Sequence, residues 1–322
     1  MSTKPVVLVT RKLPDAVENK LTEAFTPMLN PQDKLYDTEE LLRLAADADA
    51  ILPCHTEKFS AETIARLPSR IKAIANFSVG VDHVDLEAAR QKGVIVTNTP
   101  DVLSDATAEI AMLLMLGAAR RASEGERLMR NQQWKDWSPA FMVGRQITGK
   151  RLGILGMGRV GQVVAQRGRG FGMTIHYHNR NPLDSNQATG AIYHDSVETL
   201  LANIDVLSIH CPASDATRGL IDAQRLAVMH PDSILVNTSR GAVVDDDALV
   251  DALKSGGIAA AGLDVYNGEP DSIHPAYREL DNTFLLPHIG SATVETRDAM
   301  GYRAIDNLVA IFRGEAPADR VA

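Results

Sequence analysis

The stretch "RLGILGMGRVGQVVAQRGRGFG" at residues 151–172 decides the fold class. Its first residues predict a buried strand, the glycines at positions 156, 158 and 161 predict a turn, and "VVAQRGRG" predicts a helix. In such a unit Gly156 permits a tight turn, Gly158 lets a ligand approach the backbone, and Gly161 lets the helix pack on the strand. The start of the helix then offers N–H groups to a phosphate. We therefore predict a dinucleotide site here.

The alternation of short apolar runs and helical patterns extends through the whole chain. Strand-like runs such as "PVVLVT" and "VIVTNTP" alternate with helical runs such as "AVENKLTEAF", and the alternation restarts at residue 151. This rhythm is typical of parallel sheets covered by helices. For 322 residues we expect two sheets. The predicted fold is α/β, with two Rossmann-like domains: residues 100–289 form a dinucleotide-binding domain, inserted in a discontinuous substrate-binding domain of residues 1–99 plus 290–322.

Composition excludes several classes of protein. The net charge of −8 argues against a nucleic-acid binder, which usually carries a concentrated basic surface. The longest apolar tract, "IAMLLMLGAA", is shorter than the ~20 residues that span a bilayer, so no membrane role is predicted. Cys54 and Cys211 stand far apart, in neither a disulfide framework nor a metal-ligand spacing. We expect a cytoplasmic protein without a metal site.

In NAD sites the strand after the glycine turn ends in an acidic residue that binds the ribose hydroxyls, and this sequence lacks that residue. "MTIHYHN" ends at Asn179, and Arg180 follows it. A carboxylate here would repel the 2′-phosphate of NADP, whereas a guanidinium can hold that phosphate bidentately. We predict NADP(H) as the preferred cofactor, with NAD(H) also possible. The alternative is that Arg180 is only a solvated surface charge.

Three later stretches each place a charged or titratable residue just past a predicted strand, where ligands bind in such sheets. They are "VNTSRGAVVD" at 236–245, "AGLDVYNGEP" at 261–270 and "LPHIGSAT" at 286–293. With the glycine turn, they resemble the D-2-hydroxyacid dehydrogenase family, whose arginine, glutamate and histidine match Arg240, Glu269 and His288. "WKDWSP" and the Asn179–Arg180 pair resemble in particular the glyoxylate/hydroxypyruvate reductase branch.

Chemistry and resemblance together assign the catalytic roles. A 2-oxo acid needs its carboxylate held, its carbonyl polarised and a proton delivered. Arg240 can bind the carboxylate or bridge to the carbonyl, and His288 is the natural proton donor because histidine titrates near physiological pH. The resemblance implies that Glu269 orients His288 and that the backbone around Val79 and Gly80 completes the carboxylate site.

The resemblance also implies further cofactor contacts. Asp264 resembles the residue that binds the nicotinamide carboxamide, with a strand-end cap as the alternative. His210-Cys211-Pro212 resembles a turn lining the cofactor, in which Cys211 is a packed neighbour rather than a nucleophile. The complete predicted set adds to the glycines, Asn179 and Arg180 the residues Arg159, Val160, Cys211, Pro212, Thr217, Thr238 and Asp264.

Trp134 and Trp137 are the only tryptophans. They could be core anchors, but the resemblance implies that this segment reaches a second subunit. Together with the apolar helix predicted at 105–121, this favours a homodimer.

The predicted function is NADPH-dependent reduction of glyoxylate and hydroxypyruvate to D-2-hydroxy acids. The nearest alternative is a reductase of another 2-oxo acid, such as 2-ketogluconate or an aromatic one. An alternative from a different class is a cofactor-sensing protein like the co-repressors built on this fold, which can keep the catalytic trio.

Overall fold

The computed structural model describes residues 4–322. They form two compact units: one comprises the described residues up to Leu103 together with Ala292–Ala322, and the other comprises Ser104–Ser291. Both units are parallel sheets covered by helices, which confirms the predicted α/β fold. The domain boundaries predicted from the sequence, at 99/100 and 289/290, stay predictions.

The first unit is built on a five-stranded parallel sheet in the order β2–β1–β3–β4–β5. Its strands are β1 (Val6–Val9), β2 (Thr26–Met28), β3 (Ala50–Leu52), β4 (Ala73–Ala75) and β5 (Ile95–Thr97). Its helices are α1 (Asp15–Ala24), α2 (Thr38–Ala45), α3 (Ala61–Arg66), α4 (Leu86–Lys92) and the C-terminal α12 (Val294–Arg313).

Helix α12 packs on α1 and on strand β4 of the first unit. Its apolar face, including Met300 and Leu308, joins Val17 and Leu21 in one buried cluster. A Cβ at Gly301 would lie 2.4 Å from the Val17 side chain, so only glycine allows this approach of the two helices. The last helix therefore contributes to the core of the first unit, although a long stretch of sequence separates it from the rest of that unit.

The second unit holds a seven-stranded parallel sheet in the order β12–β11–β10–β9–β6–β7–β8. Its strands are β6 (Arg151–Leu155), β7 (Thr174–His178), β8 (Ile192–Tyr193), β9 (Val206–Ile209), β10 (Ile234–Asn237), β11 (Ala260–Leu263) and β12 (Thr283–Leu285). Its α-helices are α5 (Ser104–Ala119), α6 (Ala122–Arg130), α7 (Arg159–Gly170), α8 (Ser185–Ala188), α9 (Val197–Leu201), α10 (Ala223–Leu226) and α11 (Asp246–Ser255).

The apolar tract noted in the sequence lies in α5. This helix packs on α7, β10 and β11, and residues such as Leu114 and Met115 are fully buried. A Cβ at Gly262 of β11 would lie 2.8 Å from the Leu114 carbonyl oxygen, so the helix and the sheet are in close contact there. In residues 4–322, no helix combines the length and the apolar character needed to cross a membrane.

Candidate active site

The glycine turn lies where the chain changes direction in the second sheet. From β6 the chain runs outward to β7 and β8 and then returns to β9 on the other side of β6, which opens a crevice at the carboxyl ends of β6 and β9. Gly156 has a φ of +92°, and a Cβ on it would lie 2.5 Å from the backbone nitrogen of Cys211. Glycine is required at this position by conformation and by space.

The other two glycines differ in their surroundings. A Cβ at Gly161 would lie 2.6 Å from the Gly156 carbonyl oxygen, so helix α7 packs directly on the turn. A Cβ at Gly158 would meet no atom of the described chain within 4 Å. Gly158 is also the N-cap of α7, makes no side-chain cap, and is followed by no acidic residue in the first turn. The helix N-terminus therefore suits an anion, and residues Arg159 and Val160 open that helix.

Asn179 connects the end of β7 to the glycine turn. Its side-chain oxygen accepts a hydrogen bond from the Met157 backbone N–H at 2.7 Å. The first acid after Gly161 is Asp184, and it accepts a bond from the Gln187 backbone N–H as the cap of α8. Arg180 is exposed, and its side chain forms no hydrogen bond or ion pair with any residue in 4–322. This strand end therefore carries a neutral amide and an exposed guanidinium.

The loop after β9 borders the glycine turn from the other side. Burial raises the pKa of the Cys211 thiol to about 11, which fits a packed neighbour and not a nucleophile. The Cys211 carbonyl accepts a hydrogen bond from the Ser239 hydroxyl at 2.6 Å. The Thr217 hydroxyl donates to the Pro212 carbonyl at 2.7 Å and holds the loop in shape.

His210 links this loop to the one after β10. Its Nε2 lies 2.7 Å from the Ser208 hydroxyl and its Nδ1 lies 3.3 Å from the Thr238 hydroxyl. Burial lowers the pKa of His210 to about 3, so the ring is neutral at physiological pH. The neutral His210 ring thus contacts both Ser208 and the predicted cofactor residue Thr238.

Arg240 follows β10 in a loop that is held from both sides. The Asn237 side-chain amide donates to the Arg240 carbonyl at 2.9 Å. A Cβ at the next residue, Gly241, would lie 2.0 Å from the carbonyl carbon of Tyr266. The backbone after Arg240 therefore packs directly on the backbone after β11, which brings the arginine loop against the loop that carries Glu269.

Glu269 and His288 form a direct pair in the second unit. The Glu269 Oε1 lies 2.5 Å from the His288 Nδ1, and the other carboxylate oxygen accepts the Tyr266 backbone N–H at 2.8 Å. Both side chains are partly buried. His288 has a φ of +54°, the left-handed region that few residues other than glycine adopt. The carboxylate is anchored to the backbone and fixes the orientation of the imidazole.

Asp264 holds the turn that follows His288. Its two carboxylate oxygens accept the backbone N–H groups of Ile289 and Gly290, each at 2.8 Å. The side chain is almost fully buried, and burial raises the pKa of Asp264. Its predicted contact with the nicotinamide carboxamide stays a prediction, while the structure gives it a second role at the strand end.

The predicted substrate residues Val79 and Gly80 lie in the first unit, in the loop after β4. The Val79 carbonyl accepts from the Asn98 amide at 2.8 Å, and the Gly80 carbonyl accepts from the Ser78 hydroxyl at 2.7 Å. The N–H groups of Val79 and Gly80 make no hydrogen bond within residues 4–322. The loop is thus fixed through its acceptors and presents its donors, as an anion site requires.

Trp134 and Trp137 are not core anchors. Their side chains are 52% and 70% exposed, respectively. They lie in a segment without regular structure between α6 and β6, together with the exposed Val143 and Phe141. The core-anchor alternative from the sequence is therefore wrong.

Sequence reasoning missed Asn237, Gly241 and Tyr266, which position the site. The Tyr266 hydroxyl lies 2.9 Å and 2.8 Å from the carbonyl oxygens of Leu263 and Leu286, and so links the ends of β11 and β12. The only sequence signal was that each of these residues lies within three positions of a predicted site residue.

A doubly wound sheet, a glycine turn and a histidine–carboxylate pair at the strand ends define a nucleotide-dependent oxidoreductase. Residues 112–290 match the family model described as the D-isomer specific 2-hydroxyacid dehydrogenase, NAD binding domain. This chain belongs to the D-2-hydroxyacid dehydrogenase family, as the sequence motifs predicted.

Named relatives and solved structures agree with this assignment over nearly the whole chain. A glyoxylate reductase from Thermococcus litoralis is 41% identical, covering 99% of this chain and 97% of its own. A glycerate dehydrogenase from Hyphomicrobium methylovorum is 39% identical and covers 97% of both chains. The NADPH-dependent glyoxylate/hydroxypyruvate reductase from Sinorhizobium meliloti, solved with NADP and malonate, has a TM-score of 0.88 at 33% identity, covering 99% of this chain and 97% of its own.

Proposed function

We propose that this enzyme reduces glyoxylate and hydroxypyruvate to D-2-hydroxy acids with NADPH. The observation that carries the proposal is the Glu269–His288 pair, held at 2.5 Å in the same unit as the glycine turn and Arg240. The names of the relatives, glyoxylate reductase and glycerate dehydrogenase, support the substrate class.

His288 is the proposed proton donor. Because its Nδ1 is bonded to Glu269, the proton for the substrate oxygen has to come from Nε2. Glu269 cannot rotate freely, since its second oxygen holds the Tyr266 N–H. The pair therefore presents one ring nitrogen in a fixed direction, which lowers the cost of orientation at the moment of transfer.

Arg240 is the proposed ligand of the substrate carboxylate and carbonyl. Its planar guanidinium can donate to both groups at once, which binds the acid and polarises the carbonyl. Val79 and Gly80 of the first unit stay the proposed backbone donors to the carboxylate. When bound, the nicotinamide cofactor supplies the hydride.

The residues present fit NADP(H) as the preferred cofactor. Gly158 leaves open space beside an uncapped helix N-terminus, which suits a pyrophosphate. At the end of β7, Asn179 adds no charge, and Asp184 is engaged as a helix cap. Arg180 is the available cation for the 2′-phosphate. The structure of the Sinorhizobium relative with NADP supports this preference.

We further propose a cytoplasmic homodimer. Five large apolar side chains are exposed between residues 129 and 143, and such a cluster is typical of a protein interface. They are Met129, Trp134, Trp137, Phe141 and Val143. The two cysteines are free thiols, as expected in a reducing compartment.

The test is a spectrophotometric panel of NADPH and NADH, each with glyoxylate, hydroxypyruvate, pyruvate, phenylpyruvate and 2-ketogluconate. We expect the highest kcat/KM with NADPH and the first two acids. Oxidation of neither cofactor with any acid would refute the enzymatic proposal. The highest kcat/KM with 2-ketogluconate or phenylpyruvate would refute the substrate assignment.

A variant tests the cofactor preference. Arg180→Ala is expected to raise the Kd for NADPH about 5- to 30-fold, because an exposed charge-assisted contact contributes roughly 1–2 kcal/mol. The Kd for NADH should not change. Arg120→Ala, which removes another exposed charge from the second unit, is the matched control. Equal losses for NADPH and NADH would contradict the role given to Arg180.

A further inference from the structure

A buried amide joins the two ends of the loop that carries Val79 and Gly80. Asn76 directly follows β4 and is fully buried. Its side-chain nitrogen donates to the Thr97 carbonyl of β5 at 2.9 Å, and its side-chain oxygen lies 2.8 Å from the Nε2 of His83. Asn76 precedes the loop and His83 lies at its far end. This side-chain contact therefore closes the loop.

The direction of these hydrogen bonds assigns a proton to His83. A backbone carbonyl can only accept, so the Asn76 amide turns its NH2 group to Thr97 and its oxygen to His83. An amide oxygen also can only accept, and the His83 Nε2 therefore carries a hydrogen in either charge state of the ring. Because Asn76 is buried, loss of this donor removes the hydrogen bond of its oxygen without giving it water in return.

The contact fixes the loop at the point where its N–H groups need it. The carbonyl groups of Val79 and Gly80 accept hydrogen bonds, but their N–H groups make none within residues 4–322. His83 is held from the other side, since its carbonyl accepts the Phe59 backbone N–H at 2.8 Å. The Asn76 amide therefore sets the separation between the end of β4 and the end of the loop. Hydrogen bonds weaken steeply when the donor is misaligned, so the two N–H groups depend on this separation.

We propose that Asn76 and His83 are positioning residues that aim the Val79 and Gly80 N–H groups at the substrate carboxylate. This inference rests on the proposed function, in which those two N–H groups bind the carboxylate. Asn76 and His83 act through the loop and do not contact the substrate themselves. The carboxylate is present in the bound substrate and in the transition state alike. Loss of the pair therefore weakens both to the same extent, which raises KM and leaves kcat unchanged.

The experiment measures kcat and KM for glyoxylate, at a saturating cofactor concentration, in Asn76→Ala, His83→Gln and His83→Asn. A glutamine amide nitrogen can take the place of the histidine Nε2, whereas the shorter asparagine reaches only the place of Nδ1. We expect Asn76→Ala and His83→Asn to raise KM about 5- to 30-fold and to change kcat less than about threefold. His83→Gln should keep KM within about threefold of the parent value. Asn19→Ala, which removes an exposed amide from α1, is the control and should match the parent enzyme.

A parent-like KM in both Asn76→Ala and His83→Asn would overturn the inference, and so would equal increases in KM for His83→Asn and His83→Gln. Melting temperature and NADPH affinity are measured for every variant. A merely structural pair would lower the melting temperature and leave KM unchanged. Asn76→Ser replaces Asn76→Ala if the latter does not fold. A parent enzyme that reduces neither glyoxylate nor hydroxypyruvate would instead overturn the proposed function, and the inference with it.

Discussion

Alanine at Gly158 and alanine at Gly161 should have opposite consequences, although the two residues are three positions apart. At Gly161 the added Cβ would lie 2.6 Å from the Gly156 oxygen and 2.9 Å from the Ile154 Cγ2. The first of these atoms is backbone and cannot move aside cheaply. At Gly158 the Cβ would meet no atom of the described chain within 4 Å. Gly161→Ala should therefore lower the stability of the protein, while Gly158→Ala should weaken only ligand binding.

The magnitudes follow from these contacts. Overpacking at Gly161 costs roughly 1–3 kcal/mol, partly offset by the ~1 kcal/mol that alanine gains over glycine inside a helix. Because the Gly156 oxygen is a backbone atom at only 2.6 Å, we expect the upper end of this range, and the resulting net loss of about 2 kcal/mol lowers the melting temperature of a unit of this size by about 4–8 °C. Gly158→Ala should leave the stability within about 0.5 kcal/mol of the parent. It should weaken NADPH binding more than about tenfold, because the methyl group occupies the predicted path of the pyrophosphate.

The assays are calorimetric melting without cofactor and isothermal titration with NADPH. Gly170→Ala is the control, since Gly170 ends the same helix and a Cβ there would meet nothing within 4 Å. Unchanged NADPH affinity in Gly158→Ala would refute the assignment of this loop to the phosphates. An unchanged melting temperature in Gly161→Ala would refute the packing argument.

Three further predictions follow from other parts of the structure. Glu269→Gln should lower kcat about 10- to 100-fold with little change in KM, because the amide can still contact His288 but no longer complements its protonated form; steady-state kinetics measures this. Burial lowers the pKa of the neighbouring side chains His176 and His194 below 6.5, so the unfolded chain binds more protons than the folded one as the pH falls below that value. Their contribution to stability is therefore complete above pH 6.5 and is lost as the pH falls. His194→Gln should make the melting temperature depend less on pH between pH 8 and pH 5. Trp137→Ala should weaken the proposed homodimer at least about tenfold in sedimentation equilibrium.

The pH and assembly predictions each have a control in the second unit. His230→Gln replaces an exposed histidine and should leave the pH slope unchanged. Val228→Ala removes an exposed apolar side chain outside the segment 129–143 and should not affect assembly. An unmodified chain that sediments as a monomer would contradict the homodimer, and an unchanged kcat in Glu269→Gln would contradict the orienting role of that carboxylate.

The alternation of strands and helices was predictable because local sequence determines it. The buried strand β11 is a continuous apolar run, and the helix before it, α11, begins after the capping residue Asp245, whose side chain accepts the Ala248 N–H. The edge strands β2 and β8 were missed. They contain only three and two residues, β2 includes Pro27, and β8 is not fully buried, so neither has an apolar run that stands out. Their pairing depends on the neighbouring strand, which the local sequence does not show.

The residue types of the site were predictable, but the contacts that position them were not. The sequence places Arg240, Glu269 and His288 after strands, and that is sufficient to bring them to one edge of a sheet. It does not show that Gly241 packs on the backbone of Tyr266, because that contact joins loops 25 residues apart and depends on the twist of the whole sheet. A glycine directly after a predicted substrate arginine is therefore a useful signal for a close backbone approach.

Asp264 stabilises the turn after His288, in addition to its proposed contact with the cofactor. His288 has a backbone conformation that an L-residue adopts at a cost, and the two N–H groups immediately after it are held by the Asp264 carboxylate. Without those bonds the turn could relax and move the imidazole away from Glu269. Each carboxylate oxygen has two lone pairs, so the carboxylate can accept these N–H groups and a carboxamide N–H together. In the proposed mechanism one buried acid therefore sets the position of both the proton donor and the hydride donor, which accounts for an acidic side chain in the core at this strand end.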